Sequence, residues 1–272
     1  MSTTVSCPDY RTSGRASASS LTRFMDRWIF VLMAAWFIAI TLTGFIPTSL
    51  EKIAAVEVGM RPPFPFMLHA HAVLMGAFLV LLLVQALLAA MGRQQHHQKL
   101  GMAGIVMAPA LVVVGCLLVP IIHHQVWGMM QAAPPEAQAE LQQIMVIISN
   151  IMLLQIQVGT LFAIYIGIAL YLRKSDPGMH KRLIFLAVAL PLPAAFDRID
   201  WLPNTMPETP LGPILYILLA VAPMFIWGLL RTRKVQKAYS LWLAGFLPSS
   251  LLIYLLWNTD WWQATAPRLV GL

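Results

Sequence analysis

Charge is what this sequence has least of: 11% of its 272 residues are Asp, Glu, Lys or Arg, where about 25% is usual in soluble domains. Apolar residues make up 59%, against roughly 45–50%. So few charges cannot cover so much apolar surface in water, which excludes a soluble globule and makes lipid the solvent. Cysteine is scarce as well. Cys7 sits in a polar tail and Cys116 in an apolar run, so neither a disulfide framework nor a cysteine metal motif is available. The sequence also lacks a nucleophile elbow, a phosphate loop, a zinc-protease helix and paired carboxylates within an apolar run. The histidine pattern of membrane desaturases is missing too, and hydrolase and kinase readings are left without support.

What is present is a series of apolar segments. Crossing ~30 Å of hydrocarbon takes around 20 mostly apolar residues in a helix. Seven segments approach that length: 27–46, 66–91, 101–122, 144–172, 183–197, 213–230 and 241–259. The fifth is the shortest and carries Pro191 and Pro193, which a span tolerates when neighbouring helices surround it. The expected fold is therefore all-α, an integral membrane bundle of seven transmembrane helices. Residues 1–22, rich in Ser, Thr and Arg, read as a disordered cytoplasmic tail, because a cleavable signal peptide needs an apolar stretch behind its basic start. Residues 23–272 read as one transmembrane domain.

The basic residues orient the bundle. Arg11, Arg15, Arg23 and Arg27 precede the first span, and Arg93 and Lys99 follow the second. Arg173, Lys174, Lys181 and Arg182 follow the fourth; Arg231, Arg233, Lys234 and Lys237 follow the sixth. Fourteen of the 18 Lys and Arg thus fall on one side, with only Lys52, Arg61, Arg198 and Arg268 on the other. The positive-inside rule places the N-terminus in the cytoplasm and the C-terminus outside. This is the pattern of a multi-pass protein of the inner (cytoplasmic) membrane. The net charge of +7 is then a topology signal, met by anionic lipid headgroups rather than nucleic acid. Trp28, Trp127, Trp201, Trp242, Trp257, Trp261 and Trp262 fall near span ends, where amphipathic rings settle. Between spans, SLEKIAAVEVGM (49–60) reads as a surface helix, and PPEAQAELQQ (134–143) as a proline-started turn leading into span four.

Seven histidines are many for so apolar a chain, and the topology sorts them into two layers. The outer layer holds His69 and His71 in span two, with His123 and His124 beyond span three. The inner layer holds His96, His97 and His180. His69 and His71 stand about 200° apart around a helix, so only one faces a given site. His71 shares a stripe with Met75, Phe78 and Gln85, while His69 shares one with Ala72 and Gly76. Either is a candidate ligand for haem iron or another metal, because polar groups in hydrocarbon face a bundle interior. His123 and His124 read as a water-exposed interfacial pair.

The inner layer shows a short internal likeness. His97-Gln98-Lys99-Leu100 and His180-Lys181-Arg182-Leu183 each open a span behind a basic loop. Imidazole and cation at a helix start suit a phosphate headgroup, a haem propionate or a quinone carbonyl. In span four, Asn150 and Gln157 lie seven apart on one face and read as helix-to-helix glue. Arg198 could pair with Asp197 or Asp200, or hold a ligand carboxylate.

The run LHAHAVLMGAFLVLLLVQ, then HQKLG, then MHKRL leading to AAFDRI (residues 65–200) resembles a group of uncharacterised bacterial inner-membrane proteins. It is also distantly similar to cytochrome b561-type electron carriers. It departs from the latter in span four, which holds no histidine. The resemblance implies haem b held between histidines. The two histidine layers make the leading expectation a quinone-linked electron carrier in which His69 or His71 binds an outer haem, and His97 with His180 an inner haem or a quinone. A small-molecule transporter and an assembly partner of a larger membrane complex stand as alternatives.

Overall fold

The computed structural model describes residues 20–272, and every element described is helical. The first 19 residues of the expected tail lie outside the described residues; Ser20–Thr22, assigned to that tail, begin a helix. The order is α1 (Ser20–Glu57), α2 (Phe66–Ala90), α3 (Gln94–Ala132), α4 (Pro135–Leu172), α5 (Pro177–Ala189), α6 (Pro193–Phe196), α7 (Leu211–Thr232), α8 (Lys237–Leu256) and α9 (Asp260–Leu269). Seven helices are long and apolar enough to cross a membrane, α5 and α6 counting together as the span Pro177–Phe196. The chain is thus a multi-pass helical membrane bundle.

Several helices overrun the hydrocarbon. SLEKIAAVEVGM does not form a separate helix: α1 continues through Pro47 to Glu57, and the chain breaks at Arg61-Pro62-Pro63. Likewise α3 runs on past residue 122 to Ala132, so His123 and His124 are helical. The expected proline start of α4 is present, with Pro134 at the cap, Pro135 at the first position and Glu136 complementing the helix dipole.

The short, proline-bearing fifth span is the centre of the molecule. Of its most apolar window 56% is buried, more than in any other span. Leu183, Leu186 and Leu190 are wholly enclosed. They pack with Phe37 of α1, Tyr165 of α4, Met224 of α7 and Phe246 of α8. This burial explains how a helix broken at Pro191 and Pro193 persists, because its interrupted backbone meets protein rather than lipid. Outward, Trp36, Val80, Val113, Leu219 and Leu252 stand exposed, an apolar surface that only a bilayer covers. Three of the tryptophans near span ends are buried in protein: Trp242 stacks on Phe246 at 4.5 Å, while Trp257 and Trp262 pack in a second core with Met152 and Ile253.

Candidate functional site

Connectivity brings the 91–93, 173–176 and 233–236 turns to one end of the bundle, here the basic end. There the two histidines of the short internal likeness are built alike. His97 sits in the first turn of α3, and its Nδ1 lies 3.2 Å from the carbonyl of Gln85 in α2. His180 sits in the first turn of α5, and its Nδ1 lies 2.8 Å from the carbonyl of Ala169 in α4. In each case a histidine opening one helix is bound to the closing turns of the helix before it. The Gln85 side chain returns the contact, donating to the His97 carbonyl at 3.1 Å.

A carbonyl only accepts, so each Nδ1 carries the proton and each Nε2 keeps its lone pair. Neither Nε2 has a hydrogen-bond partner among the described residues. The hairpins α2–α3 and α4–α5 thus place two similarly held imidazoles at the basic end, His97 contributing to the electrostatics of His180. Backbone-locked Nδ1–H with a free Nε2 is the arrangement that prepares histidine as a ligand. The donor chemistry fits haem iron. His96 is exposed.

At the opposite end the outer histidines separate. His69 is exposed and meets the edge of Phe64 at 6.1 Å. His71 turns inward, its Cε1 passing Gly115 of α3, and its Nδ1 is buried without a partner. Among the described residues no group of three His, Cys, Asp or Glu gathers in metal-binding range. Of this layer, the expectation for His123 is overturned. It is only 2% exposed, its Nδ1 donates to the Val119 carbonyl at 2.8 Å, and its Nε2 is buried and unpartnered. Hydropathy ends the span at residue 122, which makes the pair look like a loop. The signal overlooked is HHQVWGMMQA, a stretch with no proline until Pro134. His124 does remain exposed, its Nε2 bonded to the Val270 carbonyl beyond α9.

Arg198 follows α6 and pairs with neither Asp197 nor Asp200. Its guanidinium lies over the Phe45 ring at 4.7 Å and donates to the Ala194 carbonyl. Burial lowers its pKa from the ordinary value, with Asp197 opposing. Its charged neighbours are Asp197 and Lys52, the latter itself close to Arg61.

Two clefts accompany these residues. One, of about 490 Å³ at the opposite end, lies between α3, α4 and α9. Gln131, Gln138, Gln142, Ser149 and Gln263 line it beside an apolar wall of Trp127, Met130, Met145, Val146 and Pro267, and no charged group does. The other, of about 300 Å³, lies at the basic end and includes Lys181, Arg182 and Arg231. Neither is lined by a histidine. The polar residues of α4 meet α8 and α9: Gln157 donates to Ser249 and Ser250 at 2.7 and 2.9 Å, and Asn150 accepts from Gln263 at 2.8 Å. No protein-family model, curated protein or solved structure matches the chain.

Proposed function

We propose that the chain is a quinone-linked electron carrier of a bacterial inner membrane, with the basic end in the cytoplasm and His97 and His180 as its inner redox site. The observation that carries this reading is the matched pair of imidazoles, each with Nδ1 held by a backbone carbonyl and Nε2 free. With a quinol bound, each free Nε2 could accept one of the two protons that leave as its two electrons pass to a redox partner. With haem b bound instead, the same two nitrogens would be iron ligands and the haem would supply one-electron redox chemistry. At the outer end, His71 and His123 present the buried unpartnered ring nitrogens that suit a second ligand.

A reduced-minus-oxidised visible spectrum, with a quinone titration followed by tryptophan fluorescence, tests the reading. Either haem bands or saturable quenching is expected in protein expressed with adequate haem. Either signal should fall at least ~10-fold in His97→Ala and His180→Ala, about the loss found when a metal ligand's support is removed. Protein with neither haem bands nor saturable quenching rejects the proposal. The orientation has its own check. Cysteines introduced at the exposed positions Gln95 and Ala139 are expected to react with an impermeant maleimide from opposite faces, and labelling from one face overturns the assignment.

A second reading, a carrier of uncharged polar solutes, is favoured by the glutamine-lined cleft at the opposite end. Proteoliposome uptake that survives His97→Ala and His180→Ala would support it over the redox reading.

A further inference from the structure

We propose that the cleft between α1, α5, α7 and α8 at the basic end is a binding site for the phosphate group of an anionic amphiphile. The site lies apart from the imidazole pair and does not depend on the redox reading. Its charges do not cancel. Arg231 is spent on Asp26, through Nε at 2.9 and 3.0 Å and Nη2 at 2.8 Å, and Trp227 Nε1 donates to the same carboxylate at 3.1 Å. Lys181 and Arg182 line the same cleft, and neither is in an ion pair with any described residue.

Both cations are held in place by other means. The Lys181 ammonium stands 4.8 Å from the Phe30 ring centroid, and one Arg182 nitrogen donates to the Gly178 carbonyl at 2.8 Å. The Tyr239 hydroxyl lies beside the same guanidinium, whose fork still has N–H groups to offer a second acceptor. Gln236 also lines the cleft, packed where a Cβ on Gly228 would touch it, and its Oε1 is buried without a partner. The α5 N-terminus does not take part, since the Asp176 carboxylate already accepts from Met179 N–H. An anion is therefore held by side chains.

The rest of the lining names the kind of anion. Ile29, Phe30 and Met224 give the cleft an apolar wall beside its cations. A free phosphate uses only the cations, whereas a phospholipid offers a phosphodiester for Lys181 and Arg182 and glycerol and acyl carbons for that wall. The helices lining the cleft are themselves membrane spans ending in basic turns, so a lipid already lies at its mouth. Each basic side chain near an anionic surface contributes about fivefold in affinity, so losing two costs about thirtyfold.

The test is phospholipid retained by the full chain after purification in mild detergent, read by native mass spectrometry. Lys181→Gln/Arg182→Gln is expected to lose bound anionic phospholipid about thirtyfold, while Arg173→Gln/Lys174→Gln, outside the cleft, retains it. Equal losses in both pairs, or none in the first, overturn the proposal. A wild-type arm does not depend on whether a variant folds. Delipidated protein is titrated with phosphatidylglycerol nanodiscs, phosphatidylcholine nanodiscs or inorganic phosphate, and thermal unfolding is followed. Stabilisation by phosphatidylglycerol alone assigns the lipid, and equal stabilisation by inorganic phosphate assigns the free anion. Stabilisation by neither, or equally by phosphatidylcholine, rejects the site.

Discussion

Gly44→Ala is expected to destabilise the bundle by the upper part of the ~1–3 kcal/mol range typical of overpacking, although alanine is the better helix former. The gain in intrinsic helix propensity is at most ~1 kcal/mol. Against it stands a collision with backbone. A Cβ at Gly44 would lie 2.2 Å from the Ala195 carbonyl oxygen, 2.8 Å from its carbon and 2.9 Å from its Cα. A side chain in the way could rotate, but α6 is a four-residue helix fixed between Pro193 and the buried Phe196, and it must move as a unit. Moving it would also carry Arg198 off the Phe45 ring, so the loss of stability should come with disturbance around Arg198. Gly76→Ala and Gly159→Ala supply the comparison, because neither added Cβ meets anything within 4 Å. Both should leave the thermal midpoint in detergent unchanged or slightly raised. A Gly44→Ala protein as stable as these two would show that α6 does not sit against α1 as described.

The contact is a useful measure of what one chain of letters discloses. Hydropathy and the distribution of basic residues are enough for the seven spans, because span length and loop charge are set by the bilayer rather than by partners. The polar face of α4 is legible for a related reason: an amide in hydrocarbon has to find another polar group, and Asn150 and Gln157 both do. Gly44 carries no such mark. Its importance comes from a segment about 150 residues later, and nothing local distinguishes it from Gly76. His123 is misread through the opposite error, since a helix can leave the hydrocarbon and remain helical, so a hydropathy boundary is not a structural one. The short α9 escapes because a ten-residue amphipathic helix falls below the length at which hydropathy reports a span. The likeness of the His97 and His180 segments is visible, but the carbonyl that each ring binds is not, because it belongs to the preceding helix.

The second large effect is expected at Asn150, and a comparison along α4 isolates its cause. Asn150 is 1% exposed. Its Oδ1 accepts from the Asn258 N–H at 3.2 Å and from Gln263 Nε2 at 2.8 Å, while its Nδ2 donates to Asn258 Oδ1. One side chain thus holds both the turn between α8 and α9, where Asn258 is left-handed at φ 59°, and α9 itself. Removing it in Asn150→Ala leaves three groups to find new partners, at an expected cost of about 2 kcal/mol, above the ~0.6 average for interhelical bonds in membranes. Gln157→Ala removes bonds to two hydroxyls and a longer one, 3.4 Å, to the Phe246 carbonyl. That carbonyl still accepts from Ser249, which keeps its own bonds to the Gly245 and Phe246 carbonyls at 2.7 and 3.0 Å. Less is orphaned there, and the expected cost is about 1 kcal/mol or below. The two variants should also fail differently. With Asn150 gone, α9 keeps the Trp262 bond to the Ser149 carbonyl and the His124 bond to Val270, so it loosens rather than detaches. Trp262, buried in the native protein, should then show red-shifted emission, and residues 258–272 should be cleaved sooner by protease. Gln157→Ala should show neither change. Equal destabilisation of the two, with α9 equally protected, would mean that the polar stripe of α4 acts as generic glue. Because Gln263 and Pro267 of α9 also wall the uncharged cleft, a loosened α9 should open that cleft while the imidazole pair at the basic end stays intact.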